Sequence, residues 1–200
     1  MRWDSLFSDL ESQLEFGLNA EENDVEAEEE RLRLGRLTIR DRLLALSAVA
    51  DRGAGYSVEI VLTGGIRASL RLKTIGRDWL AADLDDGSAR RSQCVVPLAA
   101  IQSLSLTRRQ VQHSLRARGA QGATGSITDR LGLPFLLRDL CRRRAAVEVR
   151  LADETLFGTI DRVGRDHFDL AVHETGSARR EPEVQALRVI ALTALVLVRI

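Results

Sequence analysis

Arginine is the residue type through which this chain could do chemistry. Arg108, Arg109, Arg116 and Arg118 lie close together, with His113 among them, and Arg142, Arg143 and Arg144 are consecutive. A third group, Arg67, Arg71 and Lys73, alternates with Ile66, Ala68, Leu70 and Leu72, a spacing that puts the cations on the outer face of a strand. A guanidinium presents a rigid fork of N–H donors that matches phosphate oxygens. Each phosphate so neutralised releases counterions, and this drives association with nucleic acid. These ten side chains are therefore the predicted nucleic-acid contacts. The same residues also have plainer uses, because strand faces are commonly solvated and cations complement the C-terminal end of a helix dipole.

Catalysis is not indicated. His113, His167 and His173 fall in a linker, at a strand edge and in a loop, with no nucleophile motif nearby. There is no phosphate-cradling glycine loop, no GxGxxG and no HExxH pair, so no convergent acid, base and nucleophile can be assembled. No metal or cofactor is implied, and no small-molecule substrate. Cys94 and Cys141 sit in apolar surroundings at a spacing that suits neither a zinc site nor a disulfide framework, and they read as buried inert thiols. No apolar run is long enough to cross a bilayer and the first residues lack a signal-peptide pattern, so a soluble cytoplasmic protein is expected. Lys73 is the sole lysine, a bias that a GC-rich genome explains as well as a binding role does.

A net charge of zero conceals an asymmetry. Asp4 to Glu30 holds eleven acids and neither Lys nor Arg, whereas Thr107 to Arg150 holds ten arginines against three acids. Within the acidic stretch, Trp3, Leu6, Phe7, Leu10 and Leu14 share one side of a helix too short to stand alone in water. Such a stripe either packs on its own domain or enters a groove on a protein partner or a second copy. A second helix is predicted from about Asp24 towards Ala50, with Val25, Leu32, Ile39 and Leu46 spaced by seven and a break permitted at Gly35.

The elements that must position these residues are duplicated. Val147-Glu148-Val149-Arg150-Leu151 repeats a run that opens at Val58, 89 residues earlier; Gly164-Arg165-Asp166 repeats Gly76-Arg77-Asp78; and Gly176 to Arg180 repeats Gly87 to Arg91. Each copy reads as five strands. In the second these are Val147–Leu151, Leu156–Val163, Phe168–Val172, Val184–Ile190 and Leu195–Ile200, with Gly158 inside the second strand to permit the bend that closes a small barrel. In the first, strands begin at Tyr56 and, past the Thr63-Gly64-Gly65 turn, at Ile66, with Trp79 expected in the core or an interface. Pro134 opens a helix that ends in the arginine triad.

The run VEVRLADETLFGTIDRVGRDHFDLAV, from Val147, resembles the first three strands of an Sm-like domain of the Hfq type. VPLAAIQSL, Val96 to Leu104, is similar to the tight turn into its last strand, and the helices ending near Ala50 and Arg144 occupy the place of its N-terminal helix. The resemblance covers about three quarters of the chain and implies RNA binding. The Lys-His pair that the family carries before its last strand is replaced by Pro97-Leu98-Ala99-Ala100 and by Ile190-Ala191-Leu192-Thr193. The chain also looks like an actinobacterial family labelled Fis-type transcription regulators; that would imply a C-terminal helix-turn-helix, where Leu195 to Ile200 reads as a strand.

The expected fold is therefore α+β, mainly β: an acidic helical region (1–50), a first Sm-like barrel (51–106), a basic glycine-rich linker (107–126), and a helix with a second barrel (127–200). The expected function is non-catalytic binding of RNA, or of DNA, with a regulatory role. The alternative is a scaffold that docks partners through its N-terminal helices.

Overall fold

The structure, a computed structural model, describes residues 25–50, 57–85, 92–116, 127–174 and 184–200. The chain divides into two units, 1–38 and 39–200. In the first, helix α1 (25–35) carries the exposed pairs Glu28–Arg31 at 3.3 Å and Glu30–Arg33 at 2.6 Å. It ends at Gly35, where Arg36 and Leu37 close turns onto the carbonyls of Arg33 and Leu34. The seven-residue spacing of Val25, Leu32, Ile39 and Leu46 thus spans two helices instead of lining one.

In the second unit, helix α2 (Ile39–Ala50) buries Leu43, Leu44 and Leu46, and ten strands follow. The first five are β1 (Ser57–Leu62), β2 (Ile66–Ile75), β3 (Trp79–Leu84), β4 (Gln93–Pro97) and β5 (Ile101–Ser105). Three short helices come next: α3 (Arg108–Leu115), α4 (Ile127–Arg130) and α5 (Leu133–Arg142). The remaining strands are β6 (Ala146–Arg150), β7 (Thr155–Val163), β8 (His167–Val172), β9 (Ala186–Ala191) and β10 (Leu197–Arg199). All pairings are antiparallel, in the order β5-β1-β2-β3-β4-β10-β6-β7-β8-β9. The order within β10-β6-β7-β8-β9 is that of β5-β1-β2-β3-β4, so the duplication seen in the sequence is a duplication of fold. Even the irregularities recur: the register between β2 and β3 shifts at Leu72/Thr74, and that between β7 and β8 at the equivalent Ile160/Arg162.

The halves are not closed barrels. Closing each would require β5 to reach β4, but the outer side of β4 is taken by β10, with Val95 opposite Val198 and Cys94 opposite Arg199. The result is one open ten-stranded sheet that ends at β5 and β9. Gly158 also has a more local role than bending the strand. A Cβ there would run into the Ala171 carbonyl oxygen on β8, so the close approach of these two strands excludes any side chain.

Period-two alternation at the joint knits two cores together. On β4, Cys94 and Val96 belong to the first core and Val95 to the second; on β10, Leu197 belongs to the first and Val198 to the second. Trp79 and Val95 belong by sequence to the first copy, yet they pack in the second core. Cys94, 1% exposed, is buried at this joint as expected, and burial pushes its thiol up to about 12. A raised acid keeps its proton at neutral pH, and only the thiolate alkylates readily. Iodoacetamide near pH 8 is therefore expected to leave Cys94 unmodified in the native protein and to label it after denaturation. Labelling of Cys94 in the folded chain, read by peptide mass mapping, would contradict the buried joint.

Candidate nucleic-acid interface

The predicted contacts are distributed over several supports. Arg108, Arg109 and Arg116 were assigned to a flexible linker, but residues 108–115 are helical. The reason is a reciprocal cap: Thr107 Oγ1 accepts from the Gln110 N–H at 3.3 Å, and Gln110 Oε1 accepts from the Thr107 N–H at 2.8 Å. The helix is then clamped from one side, since Gln110 Nε2 donates to the Ser57 carbonyl and the Arg42 guanidinium donates to the buried Ser114 hydroxyl. The T-x-x-Q pattern at 107–110 was the signal for it in the sequence. Arg108, Arg109 and Arg116 are exposed on the result, while Arg118 lies outside the described residues.

The triad behaves differently. Arg142 and Arg143 both reach Asp139, at 2.6 and 2.7 Å, and Arg144, in the left-handed region at φ 52, reaches Asp161 at 3.6 Å. The hydrogen bond from Arg142, with the Arg143 charge beside it, holds the Asp139 carboxyl below the usual carboxylate range. The three guanidiniums are exposed while Asp139 and Asp161 are half-buried, and a phosphate would have to compete with these pairs. Helix α3 packs on α2 and α5 on β7. On β2, Arg67 and Lys73 are exposed and Arg71 is half-buried, with Lys73 at 3.2 Å from Asp83. Trp3, Leu6, Phe7, Leu10 and Leu14 lie outside the described residues.

What the fold does assemble is a cleft of about 500 Å³ lined by Arg77, Gly132, Pro134, Phe135, Arg138, Val163, Gly164 and Arg165. Arg77 and Arg165 are the repeat-related members of the two Gly-Arg-Asp turns, and each turn is built the same way. Gly76 N donates to Trp79 O and Gly164 N to His167 O, both at 2.8 Å. Leu98 N then donates to Asp78 O at 2.9 Å, and Leu192 N to Asp166 O at 2.8 Å, tying each turn to the short 3-10 turn that links the last two strands of its half.

Helix α5 runs between the two turns. Its first N–H, at Leu133, is capped by Asp78 Oδ1 at 2.7 Å, the Arg77 N–H and the Trp79 indole N–H share the Leu131 carbonyl, and Arg138 donates to the Gly164 carbonyl at 3.3 Å. The absence of a Cβ at Gly132 leaves room for the Arg77 guanidinium.

Three guanidiniums and a 55%-exposed Phe135 ring line this cleft, with the Asp78 carboxylate at its edge 3.4 Å from Arg77, an arrangement that can take an anion carrying a planar group. The cations take phosphate oxygens and the ring offers a face for stacking. The chain matches no family model, no curated protein and no solved structure.

Sequence reasoning missed Arg77, Phe135, Arg138 and Arg165. The signal was present, because the Gly-Arg-Asp turn was noticed as a mark of duplication, but nothing in one dimension brings two turns 88 residues apart to one helix. A second correction concerns His173, read as a solvated loop histidine. It is 3% exposed, with Nδ1 at 3.0 Å from the Glu174 carbonyl and Nε2 at 2.9 Å from Thr159 Oγ1. A carbonyl can only accept, so Nδ1 donates to Glu174, and Nε2 shares a hydrogen bond with the threonine hydroxyl. Among the described residues, no helix is long and apolar enough to cross a membrane.

Proposed function

We propose that this chain is a non-catalytic, tandem Sm-like binding module that takes single-stranded nucleic acid, RNA in the first instance, in the arginine cleft at the start of α5. The cleft carries the reading: repeat-related Arg77 and Arg165, with Arg138 and the exposed Phe135 ring, line one space. The Sm-like part rests on the resemblance of the two copies, on their shared five-strand order and on the helix that precedes each. The family's RNA chemistry is what favours RNA over DNA. Arg108, Arg109, Arg116 and Arg118 extend the basic surface, whereas Arg142 to Arg144 contribute less because carboxylates already engage them.

A titration of the purified chain against single-stranded RNA at several salt concentrations tests this. Counterion release gives a logarithmic slope of about −0.7 per neutralised phosphate on single strands, so replacing Arg77, Arg138 and Arg165 together by glutamine is expected to flatten the slope by about 2 units. Sequence preference stays unchanged, because phosphate contacts position without specifying. Replacing Arg108, Arg109, Arg116 and Arg118 by glutamine is expected to flatten it by about 2 to 3 units if α3 and the segment after it lie along the same strand. An unchanged slope in the cleft variant would remove the cleft from the interface. No binding by the parent chain would return the protein to the scaffold reading.

A further inference from the structure

The joint between the halves also builds a pocket. The start of β2 and the end of β3 lie against β10 and β6, which are not their neighbours in strand order, and line with them a space of about 210 Å³. The approach is close: a Cβ on Gly64, in the turn before β2 at φ 79, would run into the Ala152 carbonyl oxygen in the turn after β6. Ile66, Ala68, Leu84 and Leu197 give the pocket apolar walls. Its charged residues are Arg67, Arg150, Arg199, Asp85 and Glu148.

The cations here do not come from the duplication. Ile60 faces Ala68 and the equivalent Val149 faces Leu156, so Arg67 corresponds to Thr155 and Arg150 to Val61. Leu104 faces Ile60 and Val198 faces Val149, so Arg199 corresponds to Ser105. All three counterparts are uncharged, and the three guanidiniums line one space only because the halves are joined. Part of the charge is already engaged: Arg199 donates to Ser92 Oγ at 2.6 Å and stands 3.9 Å from Glu148. Arg67, Arg150 and Asp85 are exposed, and among the described residues no hydrogen bond or ion pair holds any of these three side chains.

We propose that this pocket binds a small molecule with the charge set of an acidic amino acid, two carboxylates and one ammonium. The unmet charges define that set, since two guanidiniums call for two carboxylates and Asp85 calls for a cation. A guanidinium fork takes a carboxylate through two parallel N–H donors. The apolar walls cover the methylenes that connect the ligand's charged groups. Pockets for drug-sized ligands start at about 300 Å³, so this smaller space suits a smaller compound. Because the ligand touches both halves, its binding favours the joined state over any state in which β10 has left β4. This inference does not depend on what the arginine cleft binds.

The test uses the full chain, with L-glutamate as the probe. Calorimetric titration is expected to show one saturable site per chain, and added glutamate is expected to raise the thermal unfolding midpoint. Arg67→Gln and Arg150→Gln, exposed positions whose folds are checked by circular dichroism, should each weaken binding about tenfold, the effect of losing one charge-assisted contact. Glutarate, which lacks the amine, should bind the parent more weakly than glutamate does, and Asp85→Asn should abolish that preference. Arg165→Gln, in the arginine cleft, should leave glutamate binding unchanged. Neither heat nor a midpoint shift at millimolar glutamate, binding retained in both arginine variants, or glutarate binding the parent as tightly as glutamate would each overturn the proposal.

Discussion

Replacing Val198 by aspartate is expected to lower the stability of the second unit by several kcal/mol at neutral pH, on the order of 3–5 for an uncompensated buried charge. Val198 is fully buried, lies opposite Val95 and Val149 and packs in the second core, so the new carboxylate would have neither water nor a cation there. The effect carries a pH signature. Burial raises the folded-state pKa of such a carboxyl above its unfolded value of about 3.9, so the neutral form is the one the fold tolerates. The deficit relative to the parent is then full above the raised folded pKa, shrinks as pH falls through it, and is smallest below about 3.9. Urea unfolding of parent and variant at several pH values measures this. An equal midpoint at neutral pH would mean that β10 does not hold the halves together.

The second large effect is expected at Phe168, the largest fully buried side chain of the second core. Truncating it to alanine removes apolar surface and leaves a cavity, which together cost about 3–5 kcal/mol. Phe168→Leu, which keeps most of the volume, should cost markedly less. The informative readout is Trp79 fluorescence in a Trp3→Phe background. Trp79 belongs to the first copy in sequence but packs in the second core, and its indole N–H is held at 2.9 Å by the Leu131 carbonyl. It is therefore expected to report the loss at Phe168 in the same transition as the backbone signal. A Trp79 transition untouched by Phe168→Ala would mean that the halves unfold independently, contrary to the interleaved cores.

Much of the architecture is legible in the sequence. Alternation in Val58–Leu62 and Val147–Leu151, the glycine turns and Pro134 each encode their structure within a few residues, so strand and helix positions could be read directly. The duplication was legible for the same reason, since two copies of one local pattern need no knowledge of contacts. The capping pattern of Thr107 and Gln110 marks helix α3, but Gly119, Gly122 and Gly125 just beyond it give the span 107–126 the composition of a linker.

Tertiary structure alone decided three things. It decided that the halves share one open sheet, because whether β4 pairs with β5 or with β10 depends on a competition for the same backbone donors and acceptors that side-chain alternation does not express. It decided which arginines line one cleft: the triad at 142–144 is prominent in sequence but engaged by Asp139 and Asp161, whereas Arg77, paired with Asp78, comes to the same cleft as Arg138 and Arg165 because two equivalent turns flank one helix. It also decided the state of His173, buried against Thr159, because burial is a property of what the rest of the chain brings to a residue and not of the residue itself.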